Sequence, residues 1–378
     1  MKSNSSQQKG IIHLNHVTVS QEALMYNHLA LQKAHPEAKV CPVLKSNAYG
    51  HGLAETAPIF DSMDCQFLVV NSLSEAKELY SLKVKTPILI MGYTPPGQLI
   101  DIPSQFQFAL FDLEEARALN NLKSKTNIHI FVNTGMNREG VQIDKLEYFL
   151  AEIKKLKNLT IVGLCSHFAD ADNSHTLEFC NYQMGQYDKA LEILKQNGIS
   201  PIWKHLSASG GAYKFYSSKF NMVRAGIAHY GYNPLEKGDE YEYKIILRPA
   251  LEFVSTLVRI ENVKKGQVVG YGCTHTFKAE SVLGLIPAGY FEGIERRFSN
   301  NGFVKIRDQF FPIVGRVSMN MTSIDITGLQ NPKVGEKVVI YSSNSNDKNS
   351  IENAAHQIGV IPYELIVHIA ESIPRIVI

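Results

Sequence analysis

Lys45 closes the apolar run Cys41-Pro42-Val43-Leu44 and opens a polar turn, Ser46-Asn47-Ala48-Tyr49-Gly50-His51-Gly52. An amine shielded from water and set near other cations holds its proton less tightly, which makes it a nucleophile suited to Schiff-base chemistry. A solvated charge at a strand end is the other reading this position admits. Arg138, in NTGMNREGV over residues 133–141, could clamp a carboxylate or phosphate through two parallel hydrogen bonds, or simply point into water. His167 follows Leu164-Cys165-Ser166 and is either a base or a hydrogen-bonded structural residue. The small-residue turn SASGGAY over 207–213 has amides able to receive one small phosphate, but it lacks the GxxxxGK[ST] pattern, and no GxGxxG follows the first strand. Tyr271, between Gly270 and Gly272, offers a phenol that nearby cations could activate as an acid or base, or a ring that packs under a turn.

The elements that must position these groups show as a rhythm between residues 39 and 230. VCPVL, QFLVV, PILIM, FQFALF, NIHIFV, LTIVGLC, PIWKHL and NMVRAGIA have the continuous apolar character of strands buried on both faces. Between most of them lie segments of helical spacing: LSEAKELYSL, LEEARALNNL, DKLEYFLAEIKKL and FCNYQMGQYDKALEILKQNG, the last stopping at Asn197-Gly198. Eight candidate strands predict an α/β fold, a (β/α)8 TIM-type barrel over residues 1–245, with a doubly wound open sheet as the competing topology. From about Pro249 short, glycine-punctuated strands follow one another, predicting a mostly antiparallel β domain over 246–378. SSNSNDKNS, over 342–350, reads as an exposed loop. Barrel chemistry gathers at the C-terminal ends of the strands, and Lys45, Asn133 with Arg138, Ser166 with His167, Ser207 with Ser209, and Arg224 all lie at or just past apolar runs.

Composition narrows the function class. The net charge is +2, with 38 basic and 36 acidic side chains interspersed, so no basic stripe for nucleic acid is expected. The five cysteines are scattered without zinc or redox spacing and read as small buried hydrophobes. HExxH, paired His-x-His and carboxylate clusters at ligand spacing are absent, so no metal site is expected. MKSNSSQQKG lacks the apolar core of a signal peptide, and no apolar run approaches membrane-spanning length, so the expected location is cytoplasmic, without a membrane partner.

Taken in order and spacing, VLKSNAYGHG, NTGMNREG, SHFADAD, NMVRAGIAHYGYNP, GYGCTHTF, IPAGYFEG, VGRVSMNM and IPYE resemble the alanine racemases, from about residue 13 to the C-terminus. The resemblance implies a pyridoxal 5'-phosphate enzyme of the barrel-plus-β-domain type, interconverting L- and D-alanine by a two-base mechanism and supplying D-alanine for peptidoglycan. It implies that Lys45 binds the cofactor covalently and serves as one base, and that Tyr271 is the opposing base. Racemisation needs a proton removed from one face and supplied on the other, which is the geometric reason for two bases. Tyr49, Ser209 and Tyr363, with the amides of Gly226 and Ile227, are similar to the groups that hold the cofactor phosphate. Arg224 matches the arginine facing the pyridine nitrogen, and His167 the histidine that buttresses it. Arg138 and the amide of Met319 resemble substrate contacts, and Tyr290 a gate residue. Tyr271 would come from the second subunit of a head-to-tail homodimer.

Several positions depart from that pattern. Phe131 stands where many members carry a lysine that, once carbamylated, orients the substrate arginine; something else, such as a bound anion, must position Arg138 here. Asn133 replaces a usual aspartate, Ala208 a usual asparagine, and Asn320 a nearly invariant aspartate, while GYFEG replaces GYADG. Lost charge beside a pocket can change which side chains it accepts. A racemase of broader specificity is therefore one alternative, and a non-catalytic pyridoxal-phosphate carrier another. A decarboxylase of the same architecture is disfavoured, because its glycine-rich phosphate loop and Cys-Glu-Ser-Gly-Asp segment are missing.

Overall fold

The computed structural model describes residues 13–172, 177–215 and 219–378. The chain forms two compact units, one of residues 21–249, the other of the described residues up to Ser20 together with 250–378.

The first unit is a parallel barrel. Its strands are Lys39–Pro42, Leu68–Val70, Ile88–Ile90, Phe106–Leu110, Thr126–Asn133, Leu159–Cys165, Trp203–His205 and Met222–Ala225. The second to seventh strands pair in parallel in that order, and the eighth pairs in parallel with the first. Two junctions close the ring. Val43 bridges Val69 on one side, and on the other the amides of Asn221 and Arg224 donate to the carbonyls of Lys204 and Ser207. Closure rules out the open sheet.

Strand–helix alternation is less regular than its predicted eightfold form. The third strand is followed only by a short 3-10 turn, Pro96–Gln98, because two prolines in succession cannot supply the amides of a longer helix. Two of the other helices begin where the sequence supplies side-chain caps. Ser72 and Glu75 form a reciprocal capping box on Leu73–Ser81, and Asp112 caps Leu113–Asn121.

The barrel interior is layered. Cys41, Phe67, Val69, Leu89 and Met222 form one apolar cluster, packed by Trp203. Ala109, Phe131 and Cys165 form another, packed by Met91 and Phe111. Polar groups enter through a gap. A methyl group on Gly163 would lie 2.1 Å from His129 Nδ1, so a glycine in the sixth strand makes room for an imidazole from the fifth.

In the second unit a six-stranded sheet runs in the order Gln309–Pro312, Phe303–Ile306, Lys337–Tyr341, Leu251–Thr256, His16–Val19, Arg375–Val377, and all but its last pairing are antiparallel. A three-stranded antiparallel sheet joins Arg259–Val263, Ser281–Ile286 and Thr322–Asp325. His16–Val19 was expected with the barrel; it lies in this sheet instead, because its alternating pattern leaves an edge that Leu251–Thr256 pairs. The expected exposed loop over 342–350 is also partly wrong. Ser342, Asp347, Asn349 and Ser350 are buried, with Asp347 accepting from Ser342 Oγ and Lys305 Nζ. Among the described residues no helix is long and apolar enough to cross a membrane, and no group of three or more His, Cys, Asp or Glu could hold a metal ion.

Candidate functional site

Lys45 stands at the end of the first barrel strand and is half-buried. Its ammonium is destabilised first by burial and then by the cationic Arg138, with Arg224 adding to the effect; Glu75 and Glu139 oppose it. Among the described residues no carboxylate forms an ion pair with it. The amine is thus biased toward its neutral, nucleophilic form.

The turn after Lys45 is left-handed. Ser46, Asn47, Ala48 and Tyr49 hold φ of 57, 53, 51 and 51°. A left-handed helical turn of non-glycine residues costs about 1–2 kcal/mol per residue, so it persists only where its surroundings impose it. Here Glu75 Oε1 accepts from the Ser46 amide at 2.7 Å, and Asn47 Oδ1 accepts from Leu53 N at 2.7 Å. Glu75 Oε2 also caps Asn71 N and Ser72 N, tying the turn to the neighbouring helix start.

This turn buries Tyr49 and carries its hydroxyl to the end of the eighth strand. A methyl group on Gly226 would lie 2.3 Å from Tyr49 Oη. Ser209 Oγ meets the same step, accepting from Gly226 N at 3.0 Å and Ala228 N at 3.3 Å. Ile227 opens the 3-10 turn Ile227–Tyr230 directly beyond. SASGGAY is therefore more than a turn: Ser209 begins a short helix, Ser209–Lys214.

Arg224 is buried, and four acceptors receive its guanidinium. Nη2 donates to Ser166 O at 2.7 Å, His167 Nδ1 at 3.2 Å and Leu206 O at 3.4 Å; Nη1 donates to His205 Nδ1 at 2.5 Å. His205 Nε2 lies 2.8 Å from His129 Nδ1, whose Nε2 lies 3.1 Å from Gln107 Oε1. Because an arginine only donates, each imidazole must accept on Nδ1 and donate from Nε2, ending on the glutamine carbonyl. Burial, then the Arg224 charge, pushes His129 and His167 down to about 3 and His205 well below its usual value, so all three stay neutral. The sequence reading missed His205, His129 and Gln107. Their only local signal is a polar residue inside an otherwise apolar strand run.

Arg138 lies in the loop after the fifth strand. Asn133 Oδ1 accepts from Gly135 N and Asn137 N, and its Nδ2 donates to Asn137 Oδ1 at 2.8 Å. Lys45, Tyr49, His167, Ser209, Arg224, Gly226, Ile227 and Arg138 all belong to this barrel unit.

Tyr271, Tyr290, Met319 and Tyr363 belong to the other unit. Tyr271 is 73 % exposed in a tight turn whose flanking glycines, Gly270 and Gly272, have φ of 73 and 71°. Tyr290 and Met319 lie on two loops held together: Tyr290 N donates to Ser318 O, and Phe291 N to Met319 O. A methyl group on Gly289 would lie 2.2 Å from Ser318 O, so only glycine permits this approach. Tyr363 is half-buried in the helix Pro362–Val367.

The fold is a parallel α/β barrel, with Lys45, Arg138, His167, Ser209 and Arg224 at or near the C-terminal ends of its strands, and a mostly β unit that holds the rest of the described chain. The family model for the alanine racemase N-terminal domain matches residues 19–234, and that for the C-terminal domain matches residues 250–377. Alanine racemase 1 of Caldanaerobacter subterraneus subsp. tengcongensis is 32% identical over 95% of this chain and 94% of its own length. The alanine racemase of Methanococcus maripaludis is 33% identical over 90% and 92%. The Bacillus anthracis alanine racemase solved with bound L-Ala-P superposes with a TM-score of 0.88 at 28% identity, covering 97% of this chain and 96% of that one. The chain belongs to the alanine racemase family, whose members are pyridoxal-phosphate-dependent racemases.

Proposed function

We propose that this protein interconverts L- and D-alanine with pyridoxal 5'-phosphate, supplying D-alanine for peptidoglycan in the cytoplasm. The observation that carries the reading is Lys45: a half-buried amine, its charge disfavoured by burial and by Arg138, at the C-terminal end of a barrel strand.

The donor set fits the cofactor. The Ser209 hydroxyl, the Tyr49 phenol and the narrow backbone step at Gly226 suit a phosphate, with Ile227 N directly beyond. Lys45 suits an aldehyde. Arg224 suits an unprotonated ring nitrogen, since a guanidinium surrenders its proton too reluctantly to transfer it. When bound, the cofactor supplies an electron sink for the charge left on Cα as the α-proton departs.

The chain's own groups do the rest. Arg138 holds the substrate carboxylate through charge-assisted hydrogen bonds. Lys45 Nζ takes or returns the α-proton on one face, and the Tyr271 hydroxyl, contributed by the second subunit of a head-to-tail homodimer, serves the other. Tyr290 guards the entrance.

The test is formation of D-alanine from L-alanine by the cofactor-loaded protein. Lys45→Ala should abolish it, and borohydride reduction should leave the cofactor mass on the Lys45 peptide of the parent protein. Parallel turnover of serine, lysine and arginine checks the broader-specificity reading that Asn320 and Phe291 motivate; lysine or arginine outrunning alanine would overturn the assignment.

A further inference from the structure

The fifth strand, Thr126–Asn133, carries a hydrocarbon side chain, Phe131, at the position where the family resemblance implies an anionic group that orients Arg138. Phe131 is buried, packs with Ala109, Cys165 and Met91, and meets Phe111 edge-on at 6.0 Å. No charged group can share that spot without large desolvation cost. The Arg138 guanidinium has turned elsewhere: Nη2 donates to Glu139 Oε1 at 2.7 Å, and Nε to the same oxygen at 3.1 Å.

The backbone on both sides of this pair is pinned. Asn137, immediately before Arg138, has φ 56° and is held by Asn133 from both its amide and its side chain. Gly140, immediately after Glu139, has φ 103° and sits so close to the fifth strand that a methyl group there would lie 2.6 Å from Asn133 N. Val141–Gln142 then pairs in parallel with Val132 and Asn133. Arg138 and Glu139 thus leave a pinned stretch of backbone together, the shorter glutamate 28 % exposed against 53 % for the arginine. Of the two carboxylates whose fields reach Lys45, Glu75 is occupied by three backbone amides, and only Glu139 engages Arg138.

We propose that Glu139 is the positioning residue for Arg138, holding the guanidinium with Nη1 left for the substrate carboxylate. The inference rests on Arg138 being the carboxylate contact of the proposed racemase. As an exposed pair it adds little stability; its contribution is the orientation of a side chain with many rotamers.

The test uses the cofactor-loaded protein and reads kcat and KM for L-alanine, the inhibition constant of propionate as a bare carboxylate probe, and the melting temperature. Glu139→Gln should raise KM and the propionate constant by about tenfold, with kcat within about twofold and melting unchanged. Glu139→Asp should recover part of the loss. Unchanged KM and propionate binding in Glu139→Gln would overturn the proposal, as would a dependence of KM on added chloride that is the same in the parent enzyme and in Glu139→Gln, since a bound anion would then be the orienting group. Arg138→Ala separates the two levels. If it leaves propionate binding intact, the role of Arg138 fails; if it weakens binding and Glu139→Gln does not, only the role of Glu139 fails.

Discussion

Asn320 Nδ2 donates to Glu292 Oε1 at 2.8 Å, while Glu292 Oε2 accepts from Gly289 N at 2.8 Å. The two departures from the family pattern in the second unit are therefore one feature. A carboxylate at 320 would face the glutamate, whereas the amide turns repulsion into a charge-assisted hydrogen bond that fastens the Tyr290 loop to the Met319 loop. Asn320→Asp should lower stability by about 1.5–3 kcal/mol at pH 8 and by less at pH 5, where one carboxyl can take up a proton. The double variant Glu292→Gln with Asn320→Asp reverses the first hydrogen bond, keeps Gly289 N as the donor of the second, and should restore melting at pH 8. Thermal melts of the three proteins at both pH values check this.

Acid should weaken the barrel unit. His129, His167 and His229 stay neutral in the fold down to about 3, whereas the unfolded chain protonates its histidines below about 6.5. The unfolded state therefore binds more protons as pH falls, and each such histidine costs up to about 1.4 kcal/mol per pH unit between those limits. Stability measured by urea unfolding should be fully present above about pH 7 and decline steadily toward pH 4. A flat profile would contradict the neutral-imidazole arrangement.

His205→Leu should be among the most damaging single changes in the barrel. It leaves a buried Arg224 donor and the His129 Nδ1 acceptor without partners, at a cost of about 3 kcal/mol or more. Urea midpoints, with the slope checked for constancy, read the loss directly.

Gly226→Ala should separate cofactor retention from folding. The added methyl meets Tyr49 Oη at 2.3 Å, so the phenol must move away from the strand end. Titration of the cofactor-free protein should show affinity for pyridoxal phosphate reduced by about tenfold or more, against a small change in melting temperature.

Tyr271→Ala should impair the two directions unequally. With one of two opposed bases gone, solvent exchange of the α-hydrogen from L-alanine should slow by about a hundredfold or more, and that from D-alanine far less. Equal slowing in deuterium oxide would contradict the two-base assignment.

Lys214 and Asp239 form a fully buried ion pair at 2.7 Å, each side chain 1 % exposed. Lys214→Met alone should cost about 3–5 kcal/mol, because it strands a buried carboxylate, and adding Asp239→Leu should recover most of it. Denaturant unfolding of the single and double variants decides.

The sequence alone determined the two-part organisation, the eight-strand rhythm of the barrel, and the placing of Lys45, Arg138, His167, Ser209 and Arg224 at strand ends. These follow from periodicity and turn residues, which act locally and so can be read one segment at a time. Only the tertiary structure decided which side chains meet. His129 and His205 are 76 residues apart in the chain, and their contact depends on barrel curvature, a register irregularity in the fifth strand and the space left by Gly163. The left-handed turn at Ser46–Tyr49 was equally hidden, because Ser46, Ala48 and Tyr49, which ordinarily avoid positive φ, adopt it where Glu75 and Asn47 side-chain oxygens accept from the amides of Ser46 and Leu53. Local pattern tells which face of an element is buried; donor–acceptor pairing across elements is settled by register and packing, which no single segment encodes.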